Sequence, residues 1–121
     1  MGSLVTRRGR HLVRQAQRRR TGNRRQVTAA IDRLEAEGPT LGRPLVDRIK
    51  KSKHHNMKEL RPRTDSETEI RILFAFDPDR EAILLIAGDK AGVWNKWYDE
   101  NIPAADARFD EHLKKIKEGE K

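Results

Sequence analysis

The chain has no cysteine, which excludes a disulfide framework and a thiolate-bound zinc. It has no apolar run near the roughly 20 residues that cross a bilayer. Its basic start lacks the apolar stretch of a secretory signal. Aromatic residues are only 5% of the chain, and charged residues (38%) outnumber hydrophobic ones (35%). A length of 121 residues therefore supports one domain with a small core and much solvated surface. Walker, G-x-G-x-x-G, H-E-x-x-H and G-x-S-x-G patterns are absent, so ATP use and serine or zinc hydrolysis find no support. These absences lead us to expect a soluble cytoplasmic protein, with no membrane partner, whose chemistry needs neither metal nor cofactor.

Positive charge is abundant, and it is unevenly placed. The net charge is +8, but residues 1–25 hold nine arginines and no acid, while the other 18 basic and 19 acidic residues leave the remaining body at −1. A partner inferred from overall charge alone, nucleic acid or an acidic protein, would thus rest on the first 25 residues. Residues 1–22 sustain no apolar period and are expected to form a poorly ordered Arg-rich arm, with a helix through Leu12, Val13 and Ala16 as the alternative. Residues 23–121 are expected to form the single folded domain.

Asn23 to Glu37 reads as a helix, with Asn23 as N-cap, Gln26 completing a capping box, and Val27, Ala30, Ile31 and Leu34 on one stripe. Gly38 suits a left-handed C-terminal position, and Pro39 stops the helix. Pro39 to Pro44 is a loop, Leu45 to Lys50 a short helix, and Lys50 to His55 a basic loop. Met57 to Leu60 is a strand. Ile70 to Phe76 and Ala82 to Ala87 are short apolar runs rich in β-branched and aromatic residues, joined by Asp77-Pro78-Asp79-Arg80, and they predict a β-hairpin. Gly88 to Gly92 is a flexible loop, and Pro103 opens a last helix running to about Lys117, with Ala105, Phe109, Leu113 and Ile116 as its stripe.

In the first hairpin strand Ile70, Ile72, Phe74 and Phe76 share the core face, which leaves Arg71 with Leu73 and Ala75 on the other. An arginine there is either solvated on an open sheet face or in contact with an anion, since guanidinium forks match phosphate. Arg61 and Lys58 precede it, and Lys90 follows the second strand, so Arg61, Arg71 and Lys90 can converge on one concave face. His54 and His55 read as a solvated loop or as acid–base groups. Glu59 serves either a salt bridge or catalysis. Trp94, Trp97 and Tyr98 either stack on bases or close the core. A ribonuclease fits the absence of cofactor motifs, because the 2′-hydroxyl is an internal nucleophile and the protein supplies positioning, proton transfer and charge.

The segments M-K-E-L-R at 57–61, R-I-L-F-A-F at 71–76, A-I-L-L-I-A-G-D-K at 82–90 and I-P-A-A-D-A-R-F-D-E-H-L at 102–113 resemble, in order and spacing, the RelE/ParE superfamily of toxins, in its HigB-like, phage-derived branch. The likeness covers about three quarters of the chain, from about Gln26 to Lys117. It implies an α+β fold: an N-terminal helix or helix pair, an antiparallel sheet of three to four strands, and a C-terminal helix. It also implies the toxin half of a type II toxin–antitoxin system, partnered by a cognate antitoxin and acting as a metal-independent endoribonuclease on mRNA at the ribosome, so inhibiting translation. By position, Arg71 and Lys90 are assigned to phosphate contact and transition-state charge, Arg61 to positioning, and Glu59 to the acidic place, with His54, Glu59 and Tyr98 as proton-transfer candidates. Lys58, His54, Lys96, Trp97 and Tyr98 are the expected RNA contacts. A gyrase inhibitor of ParE type with the same fold, or a non-catalytic nucleic-acid-binding module, is the alternative.

The chain departs from the pattern in places. Ile70 stands where the family often has Tyr, and the lysine pair after the last strand is reduced to Lys90, with Lys96 further on. Residues 1–25 show neither the apolar strand nor the lead usual before the first helix. They are expected to be a divergent basic arm or a segment read from a shifted frame or wrong start.

Overall fold

The computed structural model describes residues 24–63 and 67–119. The expected basic arm over residues 1–22 lies outside them. Arg24–Glu37 forms α1, and its stripe of Val27, Ala30, Ile31 and Leu34 is buried as the spacing requires. Gly38 takes φ 59°, the left-handed conformation that ends the helix, and a single 3₁₀ turn, Gly38–Thr40, follows.

Four antiparallel strands come next: β1 (Val46–Arg48), β2 (Lys58–Leu60), β3 (Ile70–Phe76) and β4 (Ala82–Asp89), in the order β1-β2-β3-β4. The Asp77 turn closes the hairpin as its chemistry predicts. Asp77 Oδ1 accepts the backbone N–H groups of Asp79 and Glu81 at 2.9 and 3.0 Å. A register shift at Leu73/Phe74 marks a bulge in the β3–β4 pair.

Three elements differ from expectation. β4 continues through Gly88 and Asp89, which pair with Arg71 and Ile70, so the expected loop over Gly88 to Gly92 begins only at Lys90. Leu45 to Lys50 is not a helix: Val46, Asp47 and Arg48 pair with Leu60, Glu59 and Lys58, and the backbone bonds Arg61 N–H to Leu45 O (2.7 Å) and Ile49 N–H to Met57 O (3.0 Å) extend the ladder. Six residues cannot nucleate a lone helix in water, whereas the open edge of β2 offers them a ready template. The last helix, α2, runs Trp94–Gly119 and starts nine residues before Pro103, which lies inside it. An interior proline costs about 3 kcal/mol. Seating Trp97 and Ile102 against the sheet offsets that at about 1.5–3 kcal/mol each.

The sheet is covered on both faces. Ile70, Ile72, Phe74 and Leu84 pack with the α1 stripe on one side, and Leu73, Ala75, Ile83 and Leu85 pack with Trp97, Ile102, Ala105 and Phe109 of α2 on the other. Arg71 therefore does not stand on an open solvated face. Its side chain is only 11% exposed, under the first turns of α2. The α+β architecture follows the expected order, with four strands and one described N-terminal helix. No helix among the described residues is long and apolar enough to cross a membrane.

Candidate functional site

Strand alternation puts Glu59 of β2 and Arg71 of β3 on the face that α2 covers, and α2 brings Tyr98 to them. The Tyr98 hydroxyl donates to Glu59 Oε1 at 2.7 Å, and Arg71 Nε lies 3.6 Å from the same oxygen. That separation is too long for a hydrogen bond, and Nε is buried without an acceptor. Arg71 Nη1 donates to its own neighbour, Ile70 O, at 2.9 Å, and Nη2 lies 3.6 Å from Glu69 Oε1. The guanidinium is thus held between two carboxylates with part of its donor capacity unused. A buried donor in that state costs about 1–3 kcal/mol, which an anion brought to it would recover.

Lys90 follows β4, where backbone bonds from Lys90 N–H to Glu69 O and from Trp94 N–H to Lys90 O fix the turn. Its ammonium lies 2.9 Å from Glu69 Oε1 and 4.1 Å from the centre of the Trp94 ring. Tyr98 adds a second ring at 5.6 Å. Glu69 therefore bridges Lys90 and Arg71. Its own N–H donates to Asp89 Oδ1 at 2.9 Å. Burial first, then the hydrogen bond and negative charge of Glu59, push the Tyr98 phenol up to about 12. Tyr98 is consequently a neutral hydrogen-bond donor at physiological pH, not a base.

Of the residues expected from the sequence, Glu59, Arg71, Lys90 and Tyr98 come together. Arg61 stands at the edge of the group, 3.4 Å from Asp47, and lines with Arg71 an open groove of about 540 Å³. A second hollow of about 320 Å³ reaches Glu59 and Tyr98 and is flanked by Arg48, Lys50 and Lys51. The other expected residues are elsewhere. Lys58 sits on the α1 face, its ammonium 5.7 Å from the Phe76 ring. His54 bonds Asp110 at 2.7 Å and packs edge-on against Phe109 at 4.9 Å. Lys96 is exposed on the first turn of α2. Trp97 is buried against Gly88, while Trp94, exposed and at φ 40°, faces outward beside Lys90. Glu69 was not singled out in the sequence, and Trp94 was named there only as one of three aromatics that either stack on bases or close the core. The i, i+3, i+4 spacing puts Trp94, Trp97 and Tyr98 on one side of α2, and only the structure separates the exposed Trp94 beside Lys90 from the buried Trp97.

The Gp49-like pattern of phage-derived proteins (DUF891) matches residues 17–110, and the chain belongs to that family. It is 66% identical over 87 residues to the candidate toxin HigB3 of Mycobacterium tuberculosis, which covers 72% of this chain and 74% of that protein. It is 63% identical over 87 residues to the candidate toxin HigB2 of the same organism, covering 72% of this chain and 43% of the relative. The chain is thus a HigB-like member of the toxin superfamily that its four segments resemble. No solved structure matches it.

Proposed function

We propose that the protein is the toxin of a toxin–antitoxin pair and cuts mRNA on the ribosome without a metal. The carrying observation is the junction of Glu59, Tyr98, Arg71 and Lys90 beneath α2, where a carboxylate and two cations are fixed within one small site and Arg71 Nε has no acceptor. In this reading the 2′-hydroxyl of one nucleotide gives its proton to Glu59 and its oxygen attacks the adjacent phosphorus. The bond from phosphorus to the 5′-oxygen breaks, leaving a 2′,3′-cyclic phosphate. The 5′-oxygen leaves with a proton from water. Arg71 and Lys90 hold the negative charge that builds on the phosphorane oxygens, and Tyr98 orients Glu59 through its hydrogen bond. Glu59 is preferred to His54 as the base because its carboxylate lies beside Arg71, whereas His54 pairs with Asp110 and packs on Phe109, and to Tyr98 because the phenol stays protonated.

The test maps mRNA 5′ ends in a bacterial host after induction, beside Arg71→Ala and Glu59→Gln at equal soluble protein. New ends inside codons, lost or reduced about 10²–10⁴-fold in the variants, support the reading. Growth arrest without new ends favours a gyrase-type target. Absence of both arrest and cleavage overturns the toxin reading.

A further inference from the structure

The open groove of about 540 Å³ that reaches Arg71 is walled by Arg33 of α1, Arg43 before β1, and Arg61 and Arg63 after β2. Pro44, Leu45 and Pro62 supply its apolar lining, and no carboxylate lines it among the described residues. Two acids stand at its rim. Glu37 holds Arg33 at 2.8 Å, and Asp47 lies 3.4 Å from Arg61 and 3.9 Å from Arg43. Five guanidinium groups face these two and the Glu59 and Glu69 carboxylates that flank Arg71, so the positive excess is small and lies toward Arg33, Arg43 and Arg63, away from that pair. Arg33 and Arg43 remain 55% and 77% exposed, so their pairs are weak surface contacts that a stronger anion displaces.

We infer that this groove carries the single-stranded RNA backbone flanking the scissile phosphate and delivers it to Arg71. The inference rests on the nuclease reading above. Four observations favour it. The groove and the Glu59 cluster share Arg71, so a strand lying in one reaches the other. All five cations are arginines, whose planar forks match phosphate oxygens in pairs. The groove is open, as a continuous chain requires. Its apolar lining is two prolines and a leucine, without the deep aromatic or aliphatic pocket that anchors a bound protein segment.

The test uses the full chain, an uncleavable 2′-O-methyl RNA oligonucleotide, and a polyglutamate peptide as competing anion. The groove variant is Arg33→Ala/Arg43→Ala/Arg63→Ala, which leaves Arg71, Lys90 and Glu59 intact. A variant with three equally exposed charges removed elsewhere, Arg25→Ala/Lys114→Ala/Lys117→Ala, controls for net charge, and circular dichroism confirms that both fold. Three lost phosphate contacts flatten the slope of log affinity against log salt by about 2, at about 0.7 per contact, in the groove variant and not in the control. Cellular mRNA cleavage falls in parallel. Equal slopes and equal cleavage in the groove variant, while the unsubstituted chain still cuts mRNA, overturn the groove and leave the nuclease reading standing. Loss of polyglutamate binding with RNA binding unchanged assigns the groove to an acidic protein segment and also overturns the inference. No cleavage by the unsubstituted chain removes the nuclease reading itself.

Discussion

The Tyr98 hydroxyl lies 2.7 Å from Glu59 Oε1, and this bond joins the long C-terminal helix to the shortest internal strand of the sheet. It ties together two residues 39 positions apart and holds the proton on the phenol, which donates only while it is protonated.

Tyr98 is the sole tyrosine, so its ionisation is directly visible in the near-ultraviolet absorbance. Its midpoint is expected near pH 12 rather than the ordinary value of about 10. Glu59→Gln removes the charge and weakens the bond, which moves the midpoint down. Because the folded state holds this proton more tightly than the unfolded state, the stability it supplies is complete below about pH 10 and is lost as pH rises toward 12. A midpoint unmoved by Glu59→Gln would break the proposed coupling.

At the acid end the relevant group is Asp110. Hydrogen bonds from Lys53 and His54 hold its carboxyl below the usual range, and the same contact raises Lys53. The depressed value means that the stabilisation is present above the ordinary carboxylate pKa of about 4 and is lost as pH falls below it. Asp110→Asn should flatten the acid limb of a stability–pH curve. The group is on the surface, so added salt should shrink the difference.

Gly88 touches the indole of Trp97 so closely that a Cβ there would lie 2.8 Å from Nε1. Gly88→Ala is expected to destabilise the protein by about 1–3 kcal/mol through overpacking in thermal or urea unfolding. Pairing it with Trp97→Phe should recover part of that loss, the signature of two residues in contact.

Phe109 is buried between the rings of His54 and His112, at 4.9 and 6.4 Å, and packs the middle of α2 onto the sheet. Phe109→Ala should cost about 3–5 kcal/mol in equilibrium unfolding. It frees the half of α2 beyond Pro103 while leaving Glu59 and Arg71 in place.

Trp94 is 57% exposed at φ 40°, a conformation costly for a bulky residue. Trp94→Gly removes that strain together with a cation–π contact worth about 0.5–1 kcal/mol, so stability should change by no more than about 1 kcal/mol in either direction. If the ring is a stacking platform beside Lys90, RNA affinity should drop by about 1–3 kcal/mol while stability holds. Equal affinity would show that Trp94 merely covers Lys90.

The sequence by itself determined the elements whose signals are local. The α1 stripe and its stop at Gly38-Pro39, the Asp77 turn and the alternation of β3 are each written in residues a few positions apart. The family resemblance, carried by the order of four segments, pointed to Arg61, Arg71, Lys90 and Glu59 as one expected site, with His54, Glu59 and Tyr98 as candidates for proton transfer; the structure brings Glu59, Arg71, Lys90 and Tyr98 together and leaves Arg61 at the edge and His54 elsewhere. Tertiary structure decided the rest. Whether Val46 to Arg48 coils or extends depends on the open edge of β2, which no local pattern records. Where α2 begins depends on Trp97 and Ile102 finding a surface that outweighs Pro103. That Arg71 is buried rather than solvated follows from α2 crossing the second face of the sheet, and that Lys58 stands apart from Glu59 follows from strand alternation once both faces are covered. The five-arginine groove draws on α1, the loop before β1 and the turn after β2. Those segments are distant in sequence, so only the packing of the helix against the sheet could bring their charges together.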